Sequence, residues 1–456
     1  VHKDAAVLKA VPSRGFITEY VNYARAANPA IPLIYQVGAA YALASSLINY
    51  DPRIPIPDHD RPTSLWPLIV GVSGSGKSSA IMLARGLFEE ITGEPPESLP
   101  GSAQGLYKSA INATSTDDDG NPSAVLRYWE DDLGKMLSST KQQQHAAPLR
   151  AALLQFYDGQ SRKEILATKE YVAPRNRTTL CAGVTPAQIS KDTDTAEWET
   201  GFFSRFMFFY HESTMIPKMC EFSDDYMTDM RTRLVKLGRA AWLNTECHQR
   251  DLFTFEPCPS GVKIPWRLTS LKGQKDCFYD ETARRVYEHM RDTFVKREGA
   301  ANRYARGPIQ RATDMGMRAA AIIRWSQPFA IQNWRFMRED IEQGFALAKL
   351  HVASASRVAE LVSADQFNAL CNDLLESMRT LTEQGELFAT QGRIHTQLRL
   401  MDKRHQPRRL KEALDHEVAT RAIFTGEKHL DDSGIPETVY ALREIESLPS
   451  SQRHHG

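Results

Sequence analysis

The sequence predicts an α/β fold. A parallel sheet with crossover helices forms its centre, with a helical segment before it, a helical region after it and a small helix–strand unit at the C-terminal end. Three observations carry that prediction. Short apolar runs alternate with helical patterns between residues 61 and 215, the rhythm of strand–helix–strand units. A glycine-rich loop, GVSGSGKSS, stands between one such run and one such helix. From residue 393 onward, two helical patterns are followed by two short strand patterns. A chain of 456 residues has room for about three domains. Its zero net charge means that any polyanionic partner must be met by local basic patches rather than by the protein as a whole.

Residues 1–60 read as an N-terminal helical segment. Its most apolar stretch, LIYQVGAAYALASSLI (33–48), falls short of the roughly 20 apolar residues a membrane span needs and carries Gln36, Ser45 and Ser46. Its small residues suit a helix packed closely on another element, and no membrane role is expected. The proline-rich DPRIPIPDHDRP (51–62) should break regular structure. In the core at 61–215, LWPLIVGV, AVLRYWED and TTLCAGVT are the candidate buried strands. The helix after the glycine-rich loop should bury Ile81, Met82, Leu87, Phe88 and Ile91 and end at Gly93 as its cap.

Residues 216–358 read as a helical lid, with DETARRVYEHMRDTFVKRE and RATDMGMRAAAIIRW at helical spacing. Residues 359–456 read as a winged helix-turn-helix. One short helix ends near Met401, and Pro407 opens a second whose Leu410, Leu414 and Val418 form a buried stripe. AIFTG and TVYAL then pair around a wing. The tail SLPSSQRHHG is expected to be disordered. Six scattered cysteines without paired spacing read as free thiols. With no secretory leader, they predict a cytoplasmic protein. Cys247–His248, Cys258 and Cys277 lie near one another, but without a C-x-x-C pair a zinc site there is the lesser reading.

The loop's chemistry is specific. Gly71-x-x-x-x-Gly76-Lys77-Ser78 matches the P-loop pattern in full. Glycines let successive backbone N–H groups approach phosphate oxygens. The positive end of the next helix then faces the anion. Gly71, Ser73, Gly74, Ser75, Gly76, Lys77, Ser78 and Ser79 are therefore the expected binding residues for ATP, with Lys77 on the β- and γ-phosphates and the Ser78 hydroxyl on Mg²⁺.

Such a site needs a carboxylate at the end of a neighbouring strand. AVLRYWEDDLGKML supplies Glu130, Asp131 and Asp132. Asp131 is assigned to the metal, and Asp132, or alternatively Glu130, to the attacking water. TDDDGNP (116–122) would need an acid at 115 and Glu at 126 to be a calcium loop. Ser115 and Leu126 stand there, which makes it a surface turn.

Taken together, YQVGAAYALASSLI, LIVGVSGSGKSS, WEDDLGKML, LLQFYDGQ, LCAGVTPAQI and GFFSRFMFF resemble a family of mobile-element P-loop ATPases. That family occurs in phages and plasmids, is described as primase-helicase-like, and is akin to superfamily 3 helicases of the AAA+ class. The resemblance spans residues 35 to about 210 and departs at Asp131–Asp132, where the family shows Asp-Glu. It implies a RecA/AAA+-like core, with Thr185 as a polar sensor and Arg205 as an arginine finger reaching a neighbouring subunit; a local salt bridge is the other reading of Arg205. It also implies a pore hairpin at SRKEILATKEYVAPRN (161–176), with Arg162, Lys163 and Lys169 facing nucleic acid, or else a basic hairpin with no partner. Arg311 and Arg318 would then reach the nucleotide from the lid.

Residues 393–411 hold seven Arg/Lys against one Asp. Lys403, Arg404, Arg408, Arg409 and Lys411 are therefore candidates for phosphate contacts, with protein contacts as the alternative. The function expected is an ATP-dependent DNA-translocating motor, a replicative helicase working as a homo-oligomeric ring, a hexamer, on single-stranded or forked DNA. The alternatives are an ATP-dependent replication initiator or regulator that does not unwind DNA, and a small-molecule kinase.

Overall fold

The computed structural model describes residues 4–442 except 49–52, 57–58, 117–121, 143–147, 167–168, 194–196, 199–200, 215–221, 250–280, 300, 302, 328–335, 402, 404–406, 421 and 430–435. The chain is α/β, and its contacts divide it into two compact units, residues 1–360 and 361–456.

In the larger unit the chain opens with α1 (Asp4–Leu8), α2 (Phe16–Ala27) and α3 (Leu33–Leu47). A hairpin of β1 (Arg53–Ile56) and β2 (His59–Pro62) follows. The proline-rich stretch expected to break regular structure therefore forms two paired strands. An isolated two-stranded ribbon lets proline sit where no ladder donor is needed, so the prolines are tolerated.

Next come β3 (Pro67–Gly71), α4 (Lys77–Thr92), α5 (Ala103–Asn112), β4 (Thr114–Thr116), β5 (Pro122–Glu130), α6 (Gly134–Gln142) and α7 (Pro148–Asp158). The hairpin β6 (Arg162–Leu166) and β7 (Lys169–Ala173) precedes β8 (Arg175–Val184), α8 (Pro186–Asp192) and β9 (Met207–His211). The central sheet has the order β4-β5-β8-β3-β9, parallel throughout except for the β4–β5 pair. Val70 pairs with Val184, Gly71 with His211 and Glu130 with Ala182. Four strands thus bring their carboxyl ends to one edge, where open α/β sheets bind ligands.

Helix α3 is buried along its whole length, because its small residues let the sheet approach: a Cβ on Gly38 would lie 2.9 Å from the Phe209 ring. Its last carbonyls meet Arg177, buried on β8, which donates to Ser45, to Ile48 (3.1 Å) and to Thr63 (3.0 Å). A guanidinium there answers the orphan acceptors of a helix C-terminus. In α4, Ile81, Leu87, Phe88 and Ile91 are buried, and Gly93 (φ 80°) caps the helix through Glu89. Met82, expected on the same face, is instead 61% exposed. It stands about 100° around the helix from Ile81, off the stripe formed by Ile81, Ala84, Phe88 and Ile91.

Helices α9 (Asp224–Gln249), α10 (Glu281–Gly299), α11 (Arg303–Gln310), α12 (Ala312–Ser326) and α13 (Arg338–Glu383) follow. The edge strand β9 is covered from α13: His351 Nδ1 accepts from the Phe208 N–H (2.9 Å) and Ser354 Oγ from the Tyr210 N–H (3.2 Å). His351 Nε2 then donates to the Pro308 carbonyl at 3.1 Å. Two side chains of one helix thus close a sheet edge that would otherwise offer bare donors.

The smaller unit holds the end of α13, β10 (Ala389–Thr390), α14 (Gln391–Leu400), α15 (Pro407–Ala419), β11 (Phe424–His429) and β12 (Pro436–Ala441). Its antiparallel sheet has the order β10-β12-β11. Leu410 and Leu414 are buried, while Val418 is only partly so. The 116–122 turn (apart from Thr116 and Pro122), the sequence tail from 443, and Cys258 and Cys277 lie outside the described residues. Among those residues, no helix is long and apolar enough to cross a membrane.

Candidate functional site

At the carboxyl edge of the central sheet a cavity of about 400 Å³ is lined by Ser73 through Ser79, Asp131, Asp132, Gly183, Val184, Thr185 and Gln188. The sheet register explains the meeting. Asp131 follows the end of β5 and Thr185 the end of β8, on the side where β3 runs into its loop.

The loop is shaped by its glycines and by a tyrosine from far away in sequence. Gly74 and Gly76 sit at φ 75° and 89°, a region open to glycine and strained for other residues. Gly76 caps α4, whose first N–H groups have no intrahelical partner. Tyr35, wholly buried on α3, donates its hydroxyl to the Val70 carbonyl (2.8 Å) and lies 3.3 Å from both Ser75 Oγ and the His211 carbonyl. A side chain on Gly71 would overlap that hydroxyl.

Lys77 is buried and donates to the carbonyls of Gly71 (2.9 Å) and Val72 (2.8 Å). Burial lowers its pKa, and the charge of Asp132 opposes the shift. Ser78 is exposed and Ser79 partly so.

Both carboxylates of the opposite wall are exposed. Asp132 Oδ1 accepts from the Gly134 N–H at 2.9 Å. The backbone carrying Asp131 crosses directly over β8, where a Cβ on Gly183 would come within 2.6 Å of the Asp131 carbonyl. Glu130 turns elsewhere. Its carboxylate accepts from the Leu99 N–H at 2.5 Å, burial raises its pKa, and it does not line the cavity. Thr185 caps α8 by accepting from the Gln188 N–H (3.1 Å), and Pro186 takes the first helical position. Gln188, which the sequence reading did not single out, is held by Ser138 (3.1 Å) and Asp192. Its position three residues after Thr185, on the first turn of α8, is the signal that could have found it.

Arg205, Arg311 and Arg318 do not line this cavity. They gather around Tyr157 and two carboxylates. Arg205 lies 3.1 Å from Asp158 and donates to the Gly201 carbonyl at 2.9 Å. Arg311 lies 3.7 Å from the same Asp158. The wholly buried Arg318 lies 3.1 Å from Asp314 and stacks 4.3 Å above the Tyr157 ring. Burial, and next the charge of Arg311, hold Arg205 below its ordinary value, while Asp158 opposes them.

Of the basic residues expected to face nucleic acid, Lys163 is exposed and pairs with Glu170 (2.8 Å). Lys403 pairs with Asp373 (2.9 Å) and Glu376, and Arg408 lies 3.5 Å from Glu412. Lys411 is exposed and Arg409 partly so. Arg162 and Lys169 belong to the backbone of the β6–β7 hairpin, while their side chains, and Arg404 altogether, lie outside the described residues.

The sequence matches no protein-family model and no curated protein, so the reading of the site rests on its geometry and chemistry.

Proposed function

We propose that the cavity binds Mg·ATP and hydrolyses it, that the larger unit is a P-loop NTPase of the RecA/AAA+-like kind, and that the smaller unit is a winged helix-turn-helix. One observation carries the reading: the Gly71–Ser78 loop, the start of α4 and the exposed Asp131 and Asp132 carboxylates line one cavity at the carboxyl edge of a parallel sheet. The residues fit a triphosphate. Nothing lies within 4 Å of the Cβ position of Gly74, so phosphate oxygens can approach the backbone there. Lys77 already points its ammonium into the curl of the loop, from where it would reach phosphate oxygens.

Ser78 and Asp131 would hold Mg²⁺, whose charge would offset that of the phosphates. Asp132, with one oxygen fixed by the Gly134 N–H, would orient an attacking water and accept its proton through the other. The Thr185 hydroxyl, already accepting from Gln188, keeps its own proton to donate toward the γ-phosphate. Arg205 enters only through assembly: in a ring, opening of its pair with Asp158 would free it for a neighbour's nucleotide.

For the whole chain the reading is a DNA-translocating motor of a phage or other mobile element, a superfamily 3-like helicase assembled as a ring. The β6–β7 hairpin, a two-stranded sheet of its own, would contact the strand, and α15 would present its basic residues to DNA.

ATP turnover with and without single-stranded DNA, strand separation on forked DNA, and particle mass with both ligands test this together. Stimulated turnover, separated strands and a closed hexamer are expected. Stimulation without separation would replace the motor with the initiator or regulator, and absence of both DNA binding and stimulation would end both DNA readings.

A further inference from the structure

The smaller unit holds ligand-type side chains that the nucleotide reading does not use. Cys371 lies on α13, while His416 and Glu417 are neighbours on α15. A thiol sulfur, an imidazole nitrogen and a carboxylate oxygen from these three all lie within 4.8 Å of one another. Adjacent residues on a helix point about 100° apart. Their convergence on a third side chain is therefore set by how α15 packs on α13, in a core that Leu410 and Leu414 share with Leu370 and Leu374.

Glu417 draws attention because it is only 7% exposed on a helix whose buried stripe is otherwise aliphatic. A carboxylate kept from water is costly unless a cation or strong donors answer it. Among the described residues, the ion pairs of this unit run elsewhere, from Lys403 to Asp373 and Glu376, Arg393 to Glu386 and Arg408 to Glu412. Among the described residues, the thiol of Cys371 faces Glu417 as a donor and is itself buried. His416 is exposed and gives the cluster a way in from solvent, and its ring stands edge-on to Phe367 at 5.3 Å.

Sulfur, nitrogen and oxygen donors in one cluster suit a borderline-soft ion and not Mg²⁺ or Ca²⁺, which prefer oxygen alone. We propose that Cys371, His416 and Glu417 form a Zn²⁺ site that clamps α15 to α13, with a fourth position open to water. As the zinc–sulfur bond forms, the Cys371 thiol gives up its proton to solvent, while His416 binds as the neutral imidazole. Tetrahedral zinc draws its ligand atoms to roughly 3.5 Å apart, so small side-chain rotations complete the site.

The test uses the full chain, stripped with a chelator and titrated with Zn²⁺ and separately with Co²⁺. The wild type should take up zinc at this site, show a thiolate-to-cobalt charge-transfer band and melt at a higher temperature with zinc than without. Cys371→Ser should lose the band, and Glu417→Gln, which keeps shape and removes charge, should weaken zinc on the order of 100-fold or more, beyond the range typical of outer-sphere partners. Unchanged zinc affinity in either variant overturns the proposal, and a cobalt band that persists in Cys371→Ser assigns the metal to the chain's other cysteines. Failure of the wild type to bind zinc also overturns it.

Discussion

The cavity at Lys77 and the arginine cluster at Tyr157 are both built from cations and carboxylates, yet they resolve their charge in opposite ways. Around Tyr157 the guanidinium groups of Arg205, Arg311 and Arg318 are met by Asp158 and Asp314. At the sheet edge Lys77 is met by backbone carbonyls, while Asp131 and Asp132 stand exposed on a cavity of about 400 Å³. Charge paired inward fixes structure. Charge left facing space is available to a ligand.

Breaking each region should therefore give different losses. Lys77→Ala is expected to lower ATP turnover by on the order of 10³-fold with its melting temperature little changed, as turnover assays and calorimetry would show. A variant that unfolds would instead place Lys77 with the structural arginines. Arg318→Met should do the reverse. It leaves the partly buried Asp314 carboxylate and the Ser64 carbonyl without their donor, a loss of about 3 kcal/mol. Denaturant unfolding would register that loss, while Mg·ATP affinity of the folded protein should stay near the wild-type value.

The β9 edge supplies a third comparison, because its buried imidazole carries no charge. Burial lowers His351 from 6.5 to about 4, and the bond to the Pro308 carbonyl only partly opposes this. The unfolded chain therefore takes up the proton first as pH falls. Stability from this group is complete above pH 6.5 and declines toward pH 4, by about 3 kcal/mol. His351→Gln should flatten that part of the stability–pH curve, and an unchanged slope would refute the neutral bridge.

A smaller effect sharpens the account of the loop. Gly71→Ala should lose about 2 kcal/mol by crowding Tyr35, and adding Tyr35→Phe should recover part of both stability and turnover. No recovery would mean that Tyr35 does not set the loop.

Legibility from sequence followed how local each interaction is. The alternation of runs in 61–215 and the loop itself could be read because a strand, a glycine turn and a helix start are short-range patterns. The sheet edge that gathers Asp131 and the loop followed from them, while Thr185 entered only through the family resemblance. Tyr35 and Arg177 could not be read, because a buried polar side chain reveals its role only through partners far along the chain. The same holds for Arg205, whose two readings, finger or salt bridge, differ only in whether Asp158 is near. Met82 was misplaced by one step of a helix, and the 51–62 hairpin was hidden by prolines, which the open edges of a two-stranded ribbon tolerate.

The most direct measurement is a structure of the full chain with Mg²⁺ and a non-hydrolysable ATP analogue. The phosphates are expected against the backbone of Ser73–Ser78, with Lys77 turned from the Gly71 and Val72 carbonyls toward them and the ion between Ser78 and Asp131. A nucleotide bound elsewhere, or Lys77 still on its own loop beside an empty cavity at saturating analogue, would contradict this expectation.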